Sequence, residues 1–383
     1  MKKIIFMCIN MNIGGTEKAL LNMINEIPRD EYEVTILMLE ESGGFLSFIP
    51  DWVNVKYIEN FDKIRDVLNQ PPIKLVKCYI KKLKFISSFN IVLLHIISKF
   101  MGERSLYFKW VLRKYPNISE VYDIAVAYAG PMDFITYFVS DKIASTKKIQ
   151  WIHFDITKIS FNSKFANKFY NKYDKILAVS EEAKQKLIMK CPSLSFKTEV
   201  FYNVISPKSI EKLSNLGEGF KDHFEGIRIL TVGRLSQEKG QDLAIKALYR
   251  LIKDGYKVRW YCIGDGVYKK KYEEIIKEYG LEEHFILLGS SINPYKYMKE
   301  CDIYVQPSRH EGYCITLGEA RCFNNPIVTT NFTGSREQIE HETNGLVCEV
   351  SDIALYNSIK QLLDNSHMYN KIKNNLSIHN LDN

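Results

Sequence analysis

The chain has 383 residues, 46% apolar and 25% charged, with 52 Lys and Arg against 45 Asp and Glu. That length predicts two domains, each large enough to bury its own core, and the composition excludes a disordered chain or a fibre. Eight scattered cysteines form no C-x-x-C and no cluster with His, which argues against a disulfide framework or a zinc site and points to a reducing, cytoplasmic compartment.

The opening "MKKIIFMCINMNIGG" has too short an apolar run before Asn10 and Asn12 for a signal peptide, and is read as a first strand. "YEVTILML", "YDIAVAYA", "KKIQWIHF" and "KILAVS" supply further strands of the first half. Between them, residues 73–116 hold ten Lys or Arg against one acid, Glu103, so the remainder of the chain is nearly neutral. Within this segment "IKLVKCYIKKLKFI" interleaves cations with large apolar side chains at near-helical spacing. The pattern fits a helix lying on an anionic membrane surface, and equally a core-facing helix with a solvated basic face. "FISSFNIVLLHIISKFMG" is interrupted by Asn90, His95 and Lys99 and falls short of the roughly 20 apolar residues that span a bilayer. No nucleic-acid-reading motif accompanies the charge, so no nucleic-acid partner is expected.

"SPKSIEKLSNLGEGFKDHFEG" breaks the rhythm of strands and helices, and sets a domain boundary between 1–205 and 206–383. The second half offers strands at "IRILTVG", "VRWYCIG", "HFILLG", "DIYVQPS", "NPIVTT" and "NGLVCEV", with amphipathic helices at "QDLAIKALYRLIKDGY" and "KKKYEEIIKEYG". The predicted fold class is α/β, with two tandem Rossmann-like, doubly wound domains. In such sheets ligands bind at the carboxyl ends of strands, so motifs are weighed by whether they lie there.

Two motifs do. "TVGRLSQEKGQDLAI" sets Arg234 and Lys239 in a strand-to-helix loop. Two fixed cations suit a diphosphate, each charge pair at 4 Å contributing about 4 kcal/mol at an effective dielectric near 20. The loop lacks the ending of a Walker A motif. "SRHEGYCITLGEA" likewise follows a strand and runs into a helix, with Glu311 before the helix and Glu319 about one turn inside it. The amides near Tyr313, Cys314, Ile315 and Thr316 then form an anion site. Paired carboxylates also serve glycosidases, but the cations and amides call for phosphate instead. "CIGDGVYKKK" has Lys269 at the third glycine position of a dinucleotide fingerprint, which disfavours hydride transfer.

R-x4-K after a strand, combined with the E-x7-E of "EGYCITLGEA", resembles the retaining glycosyltransferases of family four, which have the GT-B fold. "NIGGTEKALLNMI", "WIHFD" and "CIGDGVYKKKYEE" fit the same family in the right order. The resemblance implies two Rossmann-like domains facing across a cleft, an acceptor-binding one before residue 206 and a nucleotide-sugar-binding one after it. It implies that Arg234 and Lys239 neutralise the diphosphate, Glu311 contacts the donor sugar, Glu319 binds the ribose, and the amides of Tyr313, Cys314, Ile315 and Thr316 hold sugar and phosphate. Gly15 would let backbone approach the phosphate, and its alternative is a plain tight turn. His153 matches the family's histidine beside the sugar, with Asp155 two residues on. The implied reaction moves a hexose from a nucleotide diphosphate sugar, by family frequency a UDP-sugar whose base is read near Ser291 to Asn293, to a glycan or lipid-linked acceptor in bacterial surface polysaccharide synthesis. It proceeds with retention and, for want of a D-x-D motif, without a metal cofactor. The alternatives are a sugar-nucleotide epimerase of related fold and a non-catalytic binding module.

Overall fold

The computed structural model describes residues 1–69, 71–81, 83, 85–217 and 219–379; Lys82 and Lys84 of the basic segment lie outside the described residues. The chain forms two compact units. The first comprises Met1–Asn12, Met23–Val179 and Ala183–Phe201, and the second Ile13–Asn22, Ser180–Glu182 and Tyr202–Asn383.

The first sheet contains β1 (Lys2–Cys8), β2 (Tyr32–Met38), β3 (Asn54–Tyr57), β4 (Val121–Ala127), β5 (Ala144–Ile152), β6 (Lys175–Ala178) and β7 (Thr198–Val200). Its order is β3-β2-β1-β4-β5-β6-β7, and its strand pairs are parallel. The second sheet contains β8 (Ile227–Val232), β9 (Val258–Ile263), β10 (Phe285–Gly289), β11 (Ile303–Gln306), β12 (Ile327–Thr330) and β13 (Leu346–Cys348). Its order is β10-β9-β8-β11-β12-β13, again with parallel pairs. Central strands such as β8 and β11 are covered on both faces, which is why they read as continuous apolar runs rather than alternating ones. Each unit has its own core, around Ile5, Met7, Phe138 and Phe165 in the first and Ile229, Trp260, Val305 and Leu317 in the second.

Strand order reverses between β1 and β4 in the first sheet and between β8 and β11 in the second. At such a switch point the loops diverge to opposite faces and open a crevice at the strand ends. Inside the second sheet Thr231 Oγ1 donates to Val305 O at 2.7 Å and accepts from Trp260 Nε1 at 3.0 Å, so the buried polar atoms joining β8, β9 and β11 are satisfied.

Three features differ from expectation. β3 and β7 are short and largely unburied, so they lack the apolar run that marked the other eleven strands. The segment read as a boundary contains a helix, Pro207–Leu216, started by Pro207 in the first turn and anchored by Ile210 in the second core. The basic amphipathic pattern is not one helix: Pro72–Lys81 ends before Leu83, whose φ is +57°, and a second helix runs from Phe85 to Met101.

Gly240 ends the loop after β8 in a left-handed conformation, φ +71°, and a Cβ there would lie 2.0 Å from the Pro307 carbonyl oxygen after β11. The two switch-point loops can approach this closely only with glycine at that position. Gly240→Ala is therefore expected to destabilise the protein by about 1–3 kcal/mol in chemical denaturation, and unchanged stability would show that the contact is not needed.

Candidate functional site

Both phosphate-directed motifs fall at the switch point of the second sheet. Gly233 and Arg234 follow β8 directly, and Pro307 and Ser308 follow β11. The helix Gln241–Lys253 begins with buried Gln241, whose Nε2 reaches back to donate to the Arg234 carbonyl at 2.8 Å. Arg309 ties the loops together. Its guanidinium makes two bonds to Asp242, at 2.7 and 2.6 Å, and a third to Gln237 O at 2.8 Å, while its backbone N–H donates to Glu238 O at 2.7 Å. A bidentate Arg–carboxylate pair fixes geometry as well as contributing energy.

Within this frame Lys239 Nζ lies 2.6 Å from Glu311 Oε1, with the two side chains 21% and 13% exposed. Burial pulls the Lys239 ammonium down, but the charge and hydrogen bond of Glu311 outweigh it, so its pKa ends above the ordinary lysine value; Arg234 acts in the opposite sense. Arg234 itself is exposed. Ser308 Oγ donates to the same Glu311 oxygen at 2.7 Å and accepts from Gln306 Nε2 at 2.9 Å. Gln306 Oε1 accepts from Tyr304 at 2.8 Å and from Thr316 at 3.2 Å. The charge pair thus ends a relay of hydrogen bonds rooted in β11.

Cys314 is buried beside this pair. Burial and the Glu311 charge push its thiol up to about 12, so it stays protonated and cannot serve as a nucleophile. Tyr313 and Cys314 precede the short helix Ile315–Ala320, and Ile315 and Thr316 open it. The backbone N–H groups of these four residues donate no hydrogen bond within the described chain. Glu319 lies inside that helix, 3% exposed, and Oε1 accepts from the Tyr295 hydroxyl at 2.6 Å. Burial raises its pKa, and the Tyr295 bond works against that rise. Beside this region, at the ends of β9 and β10, lies a cavity of about 390 Å³ lined by residues including Ile263, Gly289, Ser291, Asn293 and Tyr297.

Gly15 opens the helix Gly15–Glu26 after β1; this stretch belongs to the second unit, and a Cβ at Gly15 would lie 3.3 Å from Ile315 Cγ2. His153 follows β5 in the first unit, 6% exposed and stacked with Trp151 at 5.9 Å and edge-on to Tyr128 at 4.5 Å. Burial lowers its pKa to about 3, so the imidazole is neutral, and Nε2 has no partner. Asp155 has both oxygens engaged: Oδ1 accepts from Thr157 N and Oγ1 at 2.8 and 2.6 Å, and Oδ2 pairs with Lys186 at 2.7 Å. It holds the loop after β5 in shape.

The structure therefore gathers Arg234, Lys239, Glu311, Tyr313, Cys314, Ile315, Thr316 and Glu319 around one sheet end, and leaves His153 and Asp155 at the end of β5. Sequence reading passed over Gln241, Asp242, Gln306, Ser308 and Arg309. Their signal was position alone, since each adjoins or belongs to a quoted motif. Among the described residues no three His, Cys, Asp or Glu side chains gather as metal ligands would.

His153 carries a pH dependence whose sign is fixed. Between its folded value of about 3 and the ordinary 6.5, the unfolded chain binds a proton that the folded chain does not. Stability from this residue is complete above pH 6.5 and is lost as pH falls toward 3, by about 1.4 kcal/mol per unit. His153→Gln is expected to lack that part of the acid loss in pH-dependent denaturation, and identical profiles would contradict it.

Residues 222–377 match the family described as glycosyl transferases group 1. A curated relative from Campylobacter jejuni, an N-acetylgalactosamine-N,N'-diacetylbacillosaminyl-diphospho-undecaprenol 4-alpha-N-acetylgalactosaminyltransferase, is 33% identical over 224 residues, 57% of this chain and 59% of that protein. The aligned region thus spans less than two thirds of that relative. An uncharacterized glycosyltransferase of Haemophilus influenzae is 22% identical over 378 residues, 96% of this chain and 92% of that one. Among solved structures, Anabaena HepE in complex with UDP-glucose superposes with a TM-score of 0.70 at 19% identity, covering 100% of this chain and 95% of HepE. The fold is that of the GT-B glycosyltransferases.

Proposed function

We propose that the chain is a retaining, metal-independent glycosyltransferase of family four, moving a hexose from a nucleotide diphosphate sugar to a glycan acceptor. The observation that carries this reading is the convergence at the β8/β11 switch point of Lys239, Arg234 and the four unused amides of Tyr313–Thr316. Cations and N–H dipoles in that arrangement suit a departing diphosphate, where negative charge develops in the transition state.

In the proposed reaction the anomeric C–O bond to phosphate breaks while the acceptor oxygen forms its bond on the same face. The acceptor's proton passes to the departing phosphate oxygen. Arg234, Lys239 and the amides take up the charge, and no carboxylate nucleophile is required. Glu311 both anchors Lys239 and offers an oxygen to a sugar hydroxyl, while Glu319 accepts from the ribose. Gly15 leaves room for phosphate, and His153, neutral at physiological pH, is no proton carrier. The cavity at Ser291 and Asn293 is of a size to take a nucleobase, which we assign as uracil.

A relative named for transfer to a diphospho-undecaprenol substrate favours a lipid-linked acceptor in bacterial surface polysaccharide synthesis. All eight cysteines are unpaired, in keeping with a cytoplasmic location.

Release of nucleoside diphosphate from a panel of nucleotide sugars, with and without a glycan acceptor, tests this reading. Lys239→Ala and Arg234→Ala are each expected to lower kcat/KM by about a hundredfold or more, and a chelator is expected to leave the rate unchanged. Unaltered turnover in both variants would remove the proposal, and an altered sugar nucleotide formed without acceptor would favour an epimerase.

A further inference from the structure

Helix Phe85–Met101 in the first unit turns its apolar side outward. Its buried residues are Ser88 and Ile91, whereas Ile86, Phe89 and Phe100 are 81%, 67% and 91% exposed. Phe85, Phe89, Leu93, Ile96 and Phe100 recur at intervals of three or four residues and are all exposed, so they form one stripe along about 25 Å of helix. The adjoining helix Pro72–Lys81 packs against it and places Lys74, Lys77 and Lys81 on a second exposed stripe. Lys99 is exposed near the far end.

The segment's one acid does not offset these cations. The Glu103 side chain is 4% exposed and is bound by Lys168 at 2.7 Å and Ser105 Oγ at 2.7 Å. The outward surface of the described residues of 73–116 is therefore apolar and cationic.

We propose that Pro72–Lys81 and Phe85–Met101 form a docking surface for an anionic lipid bilayer. The aromatic and aliphatic stripe enters the boundary between headgroups and acyl chains, and the lysines meet lipid phosphates. No helix among the described residues is long and apolar enough to cross a membrane, so the pair lies in the plane of the interface. A second copy of the chain fits the patch less well, because symmetric pairing would set identical groups of cations against each other. This surface belongs to the first unit and the β8/β11 site to the second, and the inference holds whichever sugar is transferred.

Flotation of the full chain with vesicles tests it, comparing phosphatidylcholine alone with equal parts phosphatidylcholine and phosphatidylglycerol. Binding to the mixed vesicles is expected to exceed that to neutral ones by about tenfold or more and to fall at high salt. Phe89→Ser with Phe100→Ser is expected to reduce binding to mixed vesicles by about tenfold with an unchanged thermal melt, since both rings are already in water. Equal binding to both vesicle types, no binding to either, or full binding by the double variant would overturn the proposal. So would a salt-resistant dimer of the parent chain that the double variant abolishes while vesicle binding is unaffected. If the double variant fails to fold, the lipid-charge and salt dependence of the parent chain decides the matter.

Discussion

An ammonium held 2.6 Å from a carboxylate, Lys239 on Glu311, is the interaction around which the second unit's switch point is arranged. Partial burial by itself works to lower this lysine's pKa. Glu311 prevents that, and Ser308, Gln306 and Tyr304 hold Glu311 in turn. The result is a positive charge held in place at the end of a parallel sheet before any ligand arrives. Preorganised charge of this kind stabilises a developing anion without reorganising at the moment of reaction.

Backbone makes that arrangement possible. The R-x4-K loop and the E-x7-E loop leave neighbouring strands, β8 and β11, at the place where strand order reverses. Gly240 lets one loop touch the other, and Arg309 locks them through Asp242 and two carbonyl groups. Gly264 has φ +148° and would bring a Cβ within 2.0 Å of the Gly233 carbonyl, so the GDG stretch supports the same loop from the β9 side. A motif that superficially resembles a dinucleotide fingerprint thus does a structural job, bracing the loop that carries Arg234.

The buried framework was legible because parallel strands covered on both faces leave a plain record, as in "IRILTV" and "VRWYCI". The two edge strands of the first sheet leave none: "NVKY" and "TEV" are largely unburied and carry no apolar run, unlike the second sheet's edges "FILLG" and "LVC". The phosphate-directed residues were legible from their place after strands. Gln306 and Ser308 were not, because a polar residue in a tight strand end has no periodicity to announce it, and its role depends on Glu311 and Thr316, which only the folded loop after β11 brings onto it. The basic segment was legible in charge but not in shape. Its composition matched a helix with either face buried, and only the fold reveals that Ser88 and Ile91 face inward while the phenylalanines face water.

The central claim is that Arg234, Lys239 and the neighbouring amides bind a diphosphate, and calorimetric titration tests it most directly. UDP, and then the other nucleoside diphosphates, are compared with their matching nucleosides on the parent chain and on an Arg234→Ala, Lys239→Ala double variant. The diphosphate is expected to bind about a hundredfold or more tighter than its nucleoside to the parent, an advantage of about 2.7 kcal/mol or more that largely disappears in the variant. An advantage that survives intact in the variant would place the phosphate elsewhere and contradict the claim.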